Sequence, residues 1–298
     1  MKSGSQSFAA AAKLLPANVR DDVVRLYAWC RHCDDVIDGQ VLGHGERVVP
    51  DPARALERLT ERTNAALAGT LSGDPVFDGF GIVAREHGIT SPLAHDLLGG
   101  FAEDVAEARY ETFDDLCRYC YGVAGAVGVM MALVLDVPPG DTDTLDRACD
   151  LGLAFQMTNI ARDVVADARI GRVYLPAKWL IEAGVDPTPQ AVGDTRNKER
   201  VFAATVRLVE AAEPYYASAE VGVARLPFRT AWAIAAAGRV YRAIGRRRRA
   251  SGAGGLAVRA RTTATHKALL IARAGLTAAT RRDRKTPRDS LWQRPPRP

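Results

Sequence analysis

The sequence predicts an all-α protein, and three observations support that prediction. Apolar residues recur at helical spacing through nearly the whole chain. No segment of useful length alternates between apolar and polar residues as a strand does. Breaks rich in proline and glycine separate the periodic segments, as at residues 72–75 and 138–140. The 298 residues, 47% hydrophobic and 25% charged, are typical of a globular protein with a sizeable core, which excludes a disordered or fibrous chain.

Helices are predicted wherever the apolar period runs unbroken between two such breaks; Asp51-Pro52 marks one start. The predicted helices cover residues 5–14, 18–40, 52–69, 74–87, 91–108, 112–135, 142–167, 196–222, 226–249 and 263–281. The glycine-containing stretch 250–262 is predicted to be a flexible loop. We expect one all-α domain over residues 1–285 and an irregular Pro/Arg-rich tail over residues 286–298.

Charge is distributed unevenly along the chain. The net charge is +5, but residues 239–298 carry +15 and the preceding residues carry −10. A basic C-terminal region on an acidic body indicates an anionic partner, such as phosphate, nucleic acid or a membrane surface. The first residues do not resemble a secretory signal, and no uncharged run reaches the ~20 residues of a spanning helix. We expect a cytoplasmic protein that is peripheral to the inner face of the cell membrane.

The five cysteines include two CxxC pairs, Cys30–Cys33 and Cys117–Cys120. Both pairs lie in apolar helical stretches, and the gap between them far exceeds the ~15–20 residues usual for a tetrathiolate zinc site. The pattern favours small buried thiols over zinc ligands.

A first acidic cluster, Asp34, Asp35 and Asp38, stands near the end of a predicted helix. Asp34 and Asp38 are four residues apart and share one helical face, where like charges destabilise the helix. The helix dipole also disfavours anions at a C-terminal end. Something cationic is therefore expected to compensate the cluster.

A second cluster, Gln156, Asn159, Asp163 and Asp167, forms a polar stripe on an otherwise apolar helix. Its donors are all oxygen atoms, which suits Mg²⁺ or Mn²⁺ better than zinc. Either cluster alone is most often a solvated helix face. The two together predict helices that face each other and hold several metal ions. Because Mg²⁺ is commonly completed by substrate phosphates, a diphosphate ester is the expected ligand.

Arginines accompany both clusters. Ordinary pairing at helical spacing, such as Arg31 with Asp35, is the simpler explanation, and bidentate clamping of a diphosphate is the functional one. The functional explanation is favoured for Arg31 and Arg172, and both explanations remain open for Arg162 and Arg169.

Gly122, Gly125 and Gly128 recur every three residues in an apolar helix. Each costs about 1 kcal/mol relative to alanine, so a benefit is expected. Close helix packing and a smooth wall for a long hydrocarbon are both compatible with the pattern.

Several segments together identify a family resemblance. They are SQSF at residues 5–8, YAWCRHCDDVID at 27–38, RYCYGVAGAVG at 118–128, DRACDLGLAFQMTNIARD at 146–163, GRVYLP at 171–176 and LWQRP at 291–295. With these segments the chain resembles the squalene/phytoene synthase family of head-to-head prenyltransferases, and within it the bacterial phytoene synthases. The resemblance spans essentially the whole chain, and the two aspartate motifs are its most specific part.

The resemblance implies an isoprenoid-synthase helical bundle with a central substrate cavity. It also implies a reaction of carotenoid biosynthesis. Two geranylgeranyl diphosphates condense to prephytoene diphosphate, which ionises, rearranges and loses a proton to give phytoene. The implied cofactors are several Mg²⁺ or Mn²⁺ ions, without NADPH. Other enzymes of the carotenoid pathway are implied as partners.

Carried over position by position, the resemblance implies a role for each matching residue. The implied metal ligands are Asp34, Asp38, Asn159, Asp163 and Asp167. The implied catalytic residues are these four aspartates with Tyr27, Arg31, Asp35, Tyr119 and Tyr174. The implied substrate-binding residues are Ser5, Ser7, Phe8, Val123, Ala124, Val127, Gly128, Gln156, Asn159, Arg162, Arg172, Tyr241 and Arg259. Asp104 matches a further acidic position.

One position departs from the pattern. Many relatives carry lysine in the N-terminal flap motif, where this chain has Gln6. If that lysine holds a diphosphate, another cation must replace it, and Arg259 and Lys267 are the candidates.

Three alternatives remain open. A dehydrosqualene or squalene synthase acting on farnesyl diphosphate would share every motif. A class-I terpene cyclase fits the metal chemistry but not the segments at residues 27–38 and 171–176. A nucleic-acid-binding protein is suggested by Arg246–Arg249, but that run lacks interleaved aromatic residues and leaves both acidic clusters unexplained. Contact of the basic region with anionic lipid explains more of the sequence.

Overall fold

The computed structural model describes residues 12–40, 48–280 and 287–296, and within these ranges it contains helices and no strand. The α-helices are α1 (Ala17–Asp38), α2 (Pro52–Leu67), α3 (Pro75–Glu86), α4 (Ser91–Val105), α5 (Phe113–Cys120), α6 (Ala126–Val134), α7 (Thr142–Arg169), α8 (Ala177–Glu182), α9 (Pro189–Gly193), α10 (Lys198–Arg225), α11 (Phe228–Ala250) and α12 (Ala264–Ala279). A π-helical turn, Tyr121–Gly125, joins α5 to α6, and 3₁₀ turns cover Thr195–Asn197 and Ala253–Ala257. The predicted all-α class is confirmed.

Helix starts follow local capping chemistry. Asp51 and Asp74 each accept a hydrogen bond from a first-turn N–H, and a proline follows each of them. Thr112 and Asp115 form a reciprocal capping box at the start of α5. The short helices α8 and α9 were not predicted, because five or six residues give too little apolar period to recognise.

Helix α7 is the centre of the bundle. It packs against α6, the π turn, α9, α10 and α11, while α1 packs against α2, α3, α4 and α6. Buried residues such as Leu153 and Met157 fill the interior around α7. On α1, Trp29 stacks on Phe80 with ring centroids 3.8 Å apart. These contacts bring α1 and α7, the two helices with acidic clusters, into the same bundle.

The glycine row on the π turn and α6 reflects close packing between helices. A Cβ at Gly128 would lie 2.3 Å from the Ala148 carbonyl oxygen of α7, and one at Gly122 would lie 2.9 Å from the Gly100 Cα of α4. A Cβ at Gly125 would lie 2.7 Å from the Leu153 side chain. Of the two explanations left open by the sequence, close approach of backbones is therefore the one this structure supports.

The helical run Phe113–Val134 is long and apolar enough to cross a bilayer, which the sequence did not lead us to expect. Two-thirds of its most apolar window lies inside the protein (67% buried), as in a core helix. Length and apolar composition alone therefore give only weak evidence for a membrane span here.

The C-terminal residues 287–296 form no helix and lie against the bundle. Arg288 is only 7% exposed and forms ion pairs with Asp146 and Asp150 of α7. Trp292 packs beside Tyr121 of the π turn, with ring centroids 5.5 Å apart. The predicted boundary at residues 285–286 falls outside the described residues.

Candidate active site

The acidic cluster of α1 occupies the last turn and a half of that helix. Gly39, with φ of 63°, ends the helix in the left-handed conformation that glycine adopts readily. Arg31 lies 2.8 Å from an Asp34 oxygen and donates to Asp35 at 3.0 and 2.7 Å. Arg31 therefore supplies part of the positive charge that the cluster requires. It does so through the pairing with Asp35 at helical spacing that the sequence suggested.

That compensation is incomplete at Asp34. Burial raises the pKa of Asp34 to about 7, against the opposing charge of Arg31. The neighbouring carboxylates of Asp38, Asp35 and Asp104 raise it further. A cation placed here would therefore stabilise the ionised form.

The acidic stripe of α7 is compensated just as unevenly. Arg162 donates from Nε to both oxygens of Asp163 at 3.0 Å, and Arg259 reaches the same two oxygens at 3.0 Å each. Burial alone would raise the pKa of Asp163, but these two arginines lower it. Within the described ranges the Asp167 carboxylate has no hydrogen-bond or ion-pair partner, and burial together with Asp163 raises its pKa to about 8.

Arg172 connects the two clusters. It follows α7 and donates to Asp38 of α1 at 2.8 Å, while its other contact is the Tyr174 hydroxyl at 3.5 Å. The charge of Asp38 contributes to the raised pKa values of both Asp167 and Asp104. The clusters of α1 and α7 are thus close enough to interact electrostatically.

Asp104 of α4 forms a third acidic point, held by tyrosines. Tyr174 donates to it at 2.8 Å, and Tyr119 donates to both of its oxygens at 3.1 Å. Burial raises the pKa of both tyrosines, so they remain protonated donors. Tyr110 packs against both rings, with centroids 5.1 Å and 6.1 Å away. A pocket of about 60 Å³, lined in part by Asp104, Arg172 and Tyr174, opens here.

Among the described residues, Asn159 carries a buried side-chain oxygen, Oδ1, with no hydrogen-bond partner. Its amide nitrogen makes a long contact of 3.4 Å with Gln156. An orphaned buried acceptor costs about 1–3 kcal/mol. Together with Asp163 and Asp167 on the same stripe, it offers the all-oxygen donors that a hard divalent cation requires.

The predicted metal aspartates do not converge on one point. In the part of the chain that the structure describes, the one group of three acidic, histidine or cysteine ligands within 4.8 Å is Asp22, Glu86 and His87, which the sequence did not single out. Three of the predicted aspartates instead pair with arginines: Asp34 with Arg31, Asp38 with Arg172, and Asp163 with Arg162. The cysteines of the two CxxC pairs are free thiols; Cys33, Cys117 and Cys120 are buried as predicted, and Cys30 is half-buried.

The predicted wall residues lie on half-exposed helix faces. Val123, Ala124, Val127 and Gly128 share one such stripe, while Met130 and its buried neighbours face the core. Tyr241 of α11 stacks on Phe155 of α7, with centroids 4.2 Å apart. Tyr27 lies one turn before Arg31, close enough for its hydroxyl to contribute to the raised pKa of that guanidinium.

Other predicted residues fall elsewhere. Ser5, Ser7, Phe8 and Gln6 lie outside the described residues. Lys267, on α12, forms no ion pair among the residues described, so of the two replacement cations only Arg259 contacts an acidic cluster.

Arg248 has a structural role that the sequence did not indicate. It belongs to the run Arg246–Arg249, which the sequence suggested only as a nucleic-acid-binding region, yet it is 1% exposed. Its guanidinium donates to the carbonyl oxygens of Arg162, Gly255 and Val258. It therefore anchors the loop that carries Arg259 against α7, and no local signal distinguishes it from its exposed neighbours.

The chain is similar to known proteins over most of its length. Residues 1–266 match the squalene/phytoene synthase family. The chain is 49% identical over 299 residues to a phytoene synthase of Pseudescherichia vulneris, covering 99% of this chain and 96% of that protein. It is 51% identical over 294 residues to a 15-cis-phytoene synthase of a Paracoccus species, covering 98% and 94%. Among solved structures, a dehydrosqualene synthase in complex with ligand aligns with a TM-score of 0.80 at 26% identity over 94% of both chains.

Proposed function

The chain belongs to the squalene/phytoene synthase family of isoprenoid synthases, and we propose that it condenses two geranylgeranyl diphosphates head to head into phytoene. The relatives that share about half of its residues over nearly its full length are named phytoene synthases. The dehydrosqualene synthase resembles it less, at 26% identity. Geranylgeranyl diphosphate is therefore the proposed substrate, with farnesyl diphosphate as the alternative.

One observation supports the proposal most strongly: two under-compensated acidic clusters meet across the bundle. Asp34 and Asp167, with pKa values raised to about 7 and about 8, belong to opposite clusters joined by Arg172. Burial disfavours the ionised form of these two carboxyl groups, and a cationic ligand would stabilise that form. A complex of divalent cations with a diphosphate brings both the cations and an anion for the neighbouring arginines.

The residues present fit the divalent cations on which this family depends, because Asp34, Asp38, Asp163 and Asp167 offer carboxylates and Asn159 offers an orphaned oxygen. We propose Mg²⁺ or Mn²⁺ at these residues. When bound, such ions supply electrostatic stabilisation of the departing diphosphate.

The arginines can hold the leaving group, and the tyrosines fix the neighbouring Asp104. Arg31 and Arg172 each pair with an acidic residue and present a guanidinium toward the same site, where they can hold diphosphate oxygens. Tyr119 and Tyr174 remain protonated and fix Asp104. These guanidinium groups can therefore stabilise the negative charge that develops on the leaving diphosphate.

The apolar stripe of the π turn and α6 provides a wall for the prenyl chains. Val123, Ala124 and Val127 present only hydrocarbon, which excludes water from a carbocation. Tyr241 and Phe155 offer aromatic faces, each able to stabilise a cation by roughly 0.5–2 kcal/mol.

The proposed reaction has two stages. In the first, the C1–O bond of one geranylgeranyl diphosphate breaks, the second molecule attacks, and a cyclopropyl diphosphate forms. In the second, that diphosphate leaves, the cation rearranges, and proton loss gives phytoene. Each stage releases one diphosphate and one proton, and no reductant is consumed.

A product assay tests the proposal. Purified protein receives geranylgeranyl or farnesyl diphosphate with Mg²⁺ or Mn²⁺ and no NADPH, and the extracted hydrocarbon is identified by mass. We expect a C40 product that EDTA and Asp34→Asn abolish and that Asp21→Asn, an exposed change on the same helix, leaves intact. A C30 product from farnesyl diphosphate alone would overturn the proposed substrate.

Peripheral membrane contact is a separate proposal, carried by the basic surface of α11 and α12. Arg246, Arg247 and Arg249 are exposed there, as are Leu269 and Leu276. Basic residues beside apolar ones suit an anionic lipid surface, which would also receive the apolar product. We expect the protein to float with vesicles containing anionic lipid at low salt and not with neutral vesicles. Failure to float with either would contradict the proposal.

A further inference from the structure

A pocket of about 360 Å³ lies on the other side of Arg259 from the acidic site. It is formed where α11 ends, at the 3₁₀ turn and at the start of α12. We call it the C-terminal pocket, lined by Arg247, Arg248, Ser251, Gly255, Val258, Arg259, Ala260, Arg261, Thr262 and Thr263. Four of these residues are arginines, and none is acidic.

Two of those arginines have no counter-charge. Arg247 and Arg261 are exposed and form no ion pair with any described residue. Arg259 differs, because it pairs with Asp163 while also lining the pocket. The pocket thus concentrates positive charge that the described residues leave without an ion pair.

Two lining residues also carry buried polar atoms that lack a partner. Within the described residues these atoms are Oγ1 of Thr262, a residue 8% exposed, and Nε of Arg248, a residue 1% exposed. Leaving such groups unpaired costs about 1–3 kcal/mol each. Both are polar groups that an anion with several oxygens can satisfy.

The N-terminus of the helix that begins at the pocket, α12, also favours an anion there. Thr263 is the N-cap of α12, a helix of 16 residues, and its hydroxyl accepts from the His266 N–H at 3.3 Å. The N-terminus of a helix carries partial positive charge and favours phosphate groups. Arginines, hydroxyls and a helix N-terminus together match the chemistry of a phosphate-class anion.

We propose that the C-terminal pocket is a second anion site, which binds inorganic diphosphate or a phosphate headgroup through Arg247, Arg261 and the Thr262 hydroxyl. Because Arg259 borders both the pocket and Asp163, an anion in the pocket competes with Asp163 for that guanidinium. Binding there frees Asp163 for cations. This second consequence rests on the proposed function; the anion site itself does not.

The test is calorimetric titration of the full-length, metal-free protein in EDTA with two probes. One probe is inorganic diphosphate, and the other is a soluble short-chain phosphatidic acid below its micelle concentration. We expect Arg247→Gln/Arg261→Gln to weaken binding at least tenfold. The exposed Arg58→Gln on α2 serves as the matched control and should leave binding unchanged.

Thr262→Val provides a readout that a purely structural role would not give. It removes an unpartnered buried hydroxyl, so the fold should be as stable as wild type or more so. The anion affinity should nevertheless fall several-fold. A thermal melt and a titration on the same sample distinguish the two effects.

Each outcome assigns or overturns the site. Loss of diphosphate binding in the double variant supports a free phosphate as ligand, and loss of phosphatidic acid binding alone supports a headgroup. Equal binding in wild type and the double variant, or no binding of either probe, would refute the proposal. An Asp34→Asn/Asp167→Asn variant should still bind the anion, so failure of the proposed catalysis and failure of this site remain distinguishable.

Discussion

Helix α7 carries two aspartate pairs with identical spacing and opposite environments. Near its start, Asp150 is fully buried and receives Arg288 at 3.1 and 2.7 Å, while Asp146 pairs with Arg288 and Arg294. Near its end, Asp163 receives two arginines and Asp167 has no charged partner among the described residues. Burial raises the pKa of both Asp150 and Asp167, but Arg288 and Ser218 oppose that rise at Asp150, whereas the charge of Asp163 adds to it at Asp167.

The comparison shows that a four-residue spacing does not distinguish a structural aspartate pair from a functional one. The partners do. The first pair has its counter-charges built into the C-terminal segment, so it holds that segment to the bundle. The second pair lacks a full set of counter-charges among the described residues, so it is suited to a cation that binds together with the substrate.

The largest expected effect is on activity at the second pair. Asp167→Asn should lower the rate of product formation by about 10²–10³-fold, as removal of a single electrostatic stabiliser commonly does. The rate is measured with saturating substrate and cation and expressed per folded protein. Asp21→Asn is the control on an exposed helix position, and an unimpaired Asp167→Asn would remove this residue from the proposed site.

The next effect is on stability at the first pair. Asp150→Asn should destabilise the protein by about 3–5 kcal/mol, because it removes the fully buried charge partner of Arg288 and leaves that guanidinium only its longer ion pair with Asp146. Denaturant unfolding measures this change. Combining Asp150→Asn with Arg288→Met should recover part of the loss, and equal additive losses would contradict the pairing.

The stability of the metal-free protein should depend on pH through two aspartates of the candidate site. Asp34 and Asp167 have folded-state pKa values raised to about 7 and about 8, so the folded state binds their protons more tightly than the unfolded state. Stability of the metal-free protein should therefore fall as pH rises from about 4 to about 8. Thermal unfolding in EDTA across this range checks the sign.

The Asp34→Asn/Asp167→Asn variant should flatten that slope and be more stable than wild type above pH 8. A wild-type protein whose stability rises over the same range would contradict the assigned environments.

The smallest effect is expected at Arg259. Its pair with Asp163 is 54% exposed on the arginine side, so Arg259→Gln should change stability by only about 0–1 kcal/mol. Arg294→Gln, which removes a less exposed partner of Asp146, should cost more. A larger loss at Arg259 than at Arg294 would reverse the comparison.

Much of the fold was predictable because long amphipathic helices leave a strong period. The acidic clusters were also predictable, because aspartates four residues apart in an apolar helix repel each other and are therefore unusual there. Partners distant in sequence were not: Asp38 with Arg172, or Asp150 with Arg288, cannot be paired from spacing. The burial of Arg248 was not predictable either, because it depends on three carbonyl groups from other segments.

The most direct test of the central claim is a count of bound Mn²⁺ by electron paramagnetic resonance, with inorganic diphosphate present. Wild type should bind Mn²⁺ in a diphosphate-dependent manner, and Asp167→Asn should lose bound ions. Asp146→Asn, at the structural pair of α7, should retain them. Equal Mn²⁺ binding by wild type and Asp167→Asn, or a loss at Asp146→Asn instead, would contradict it.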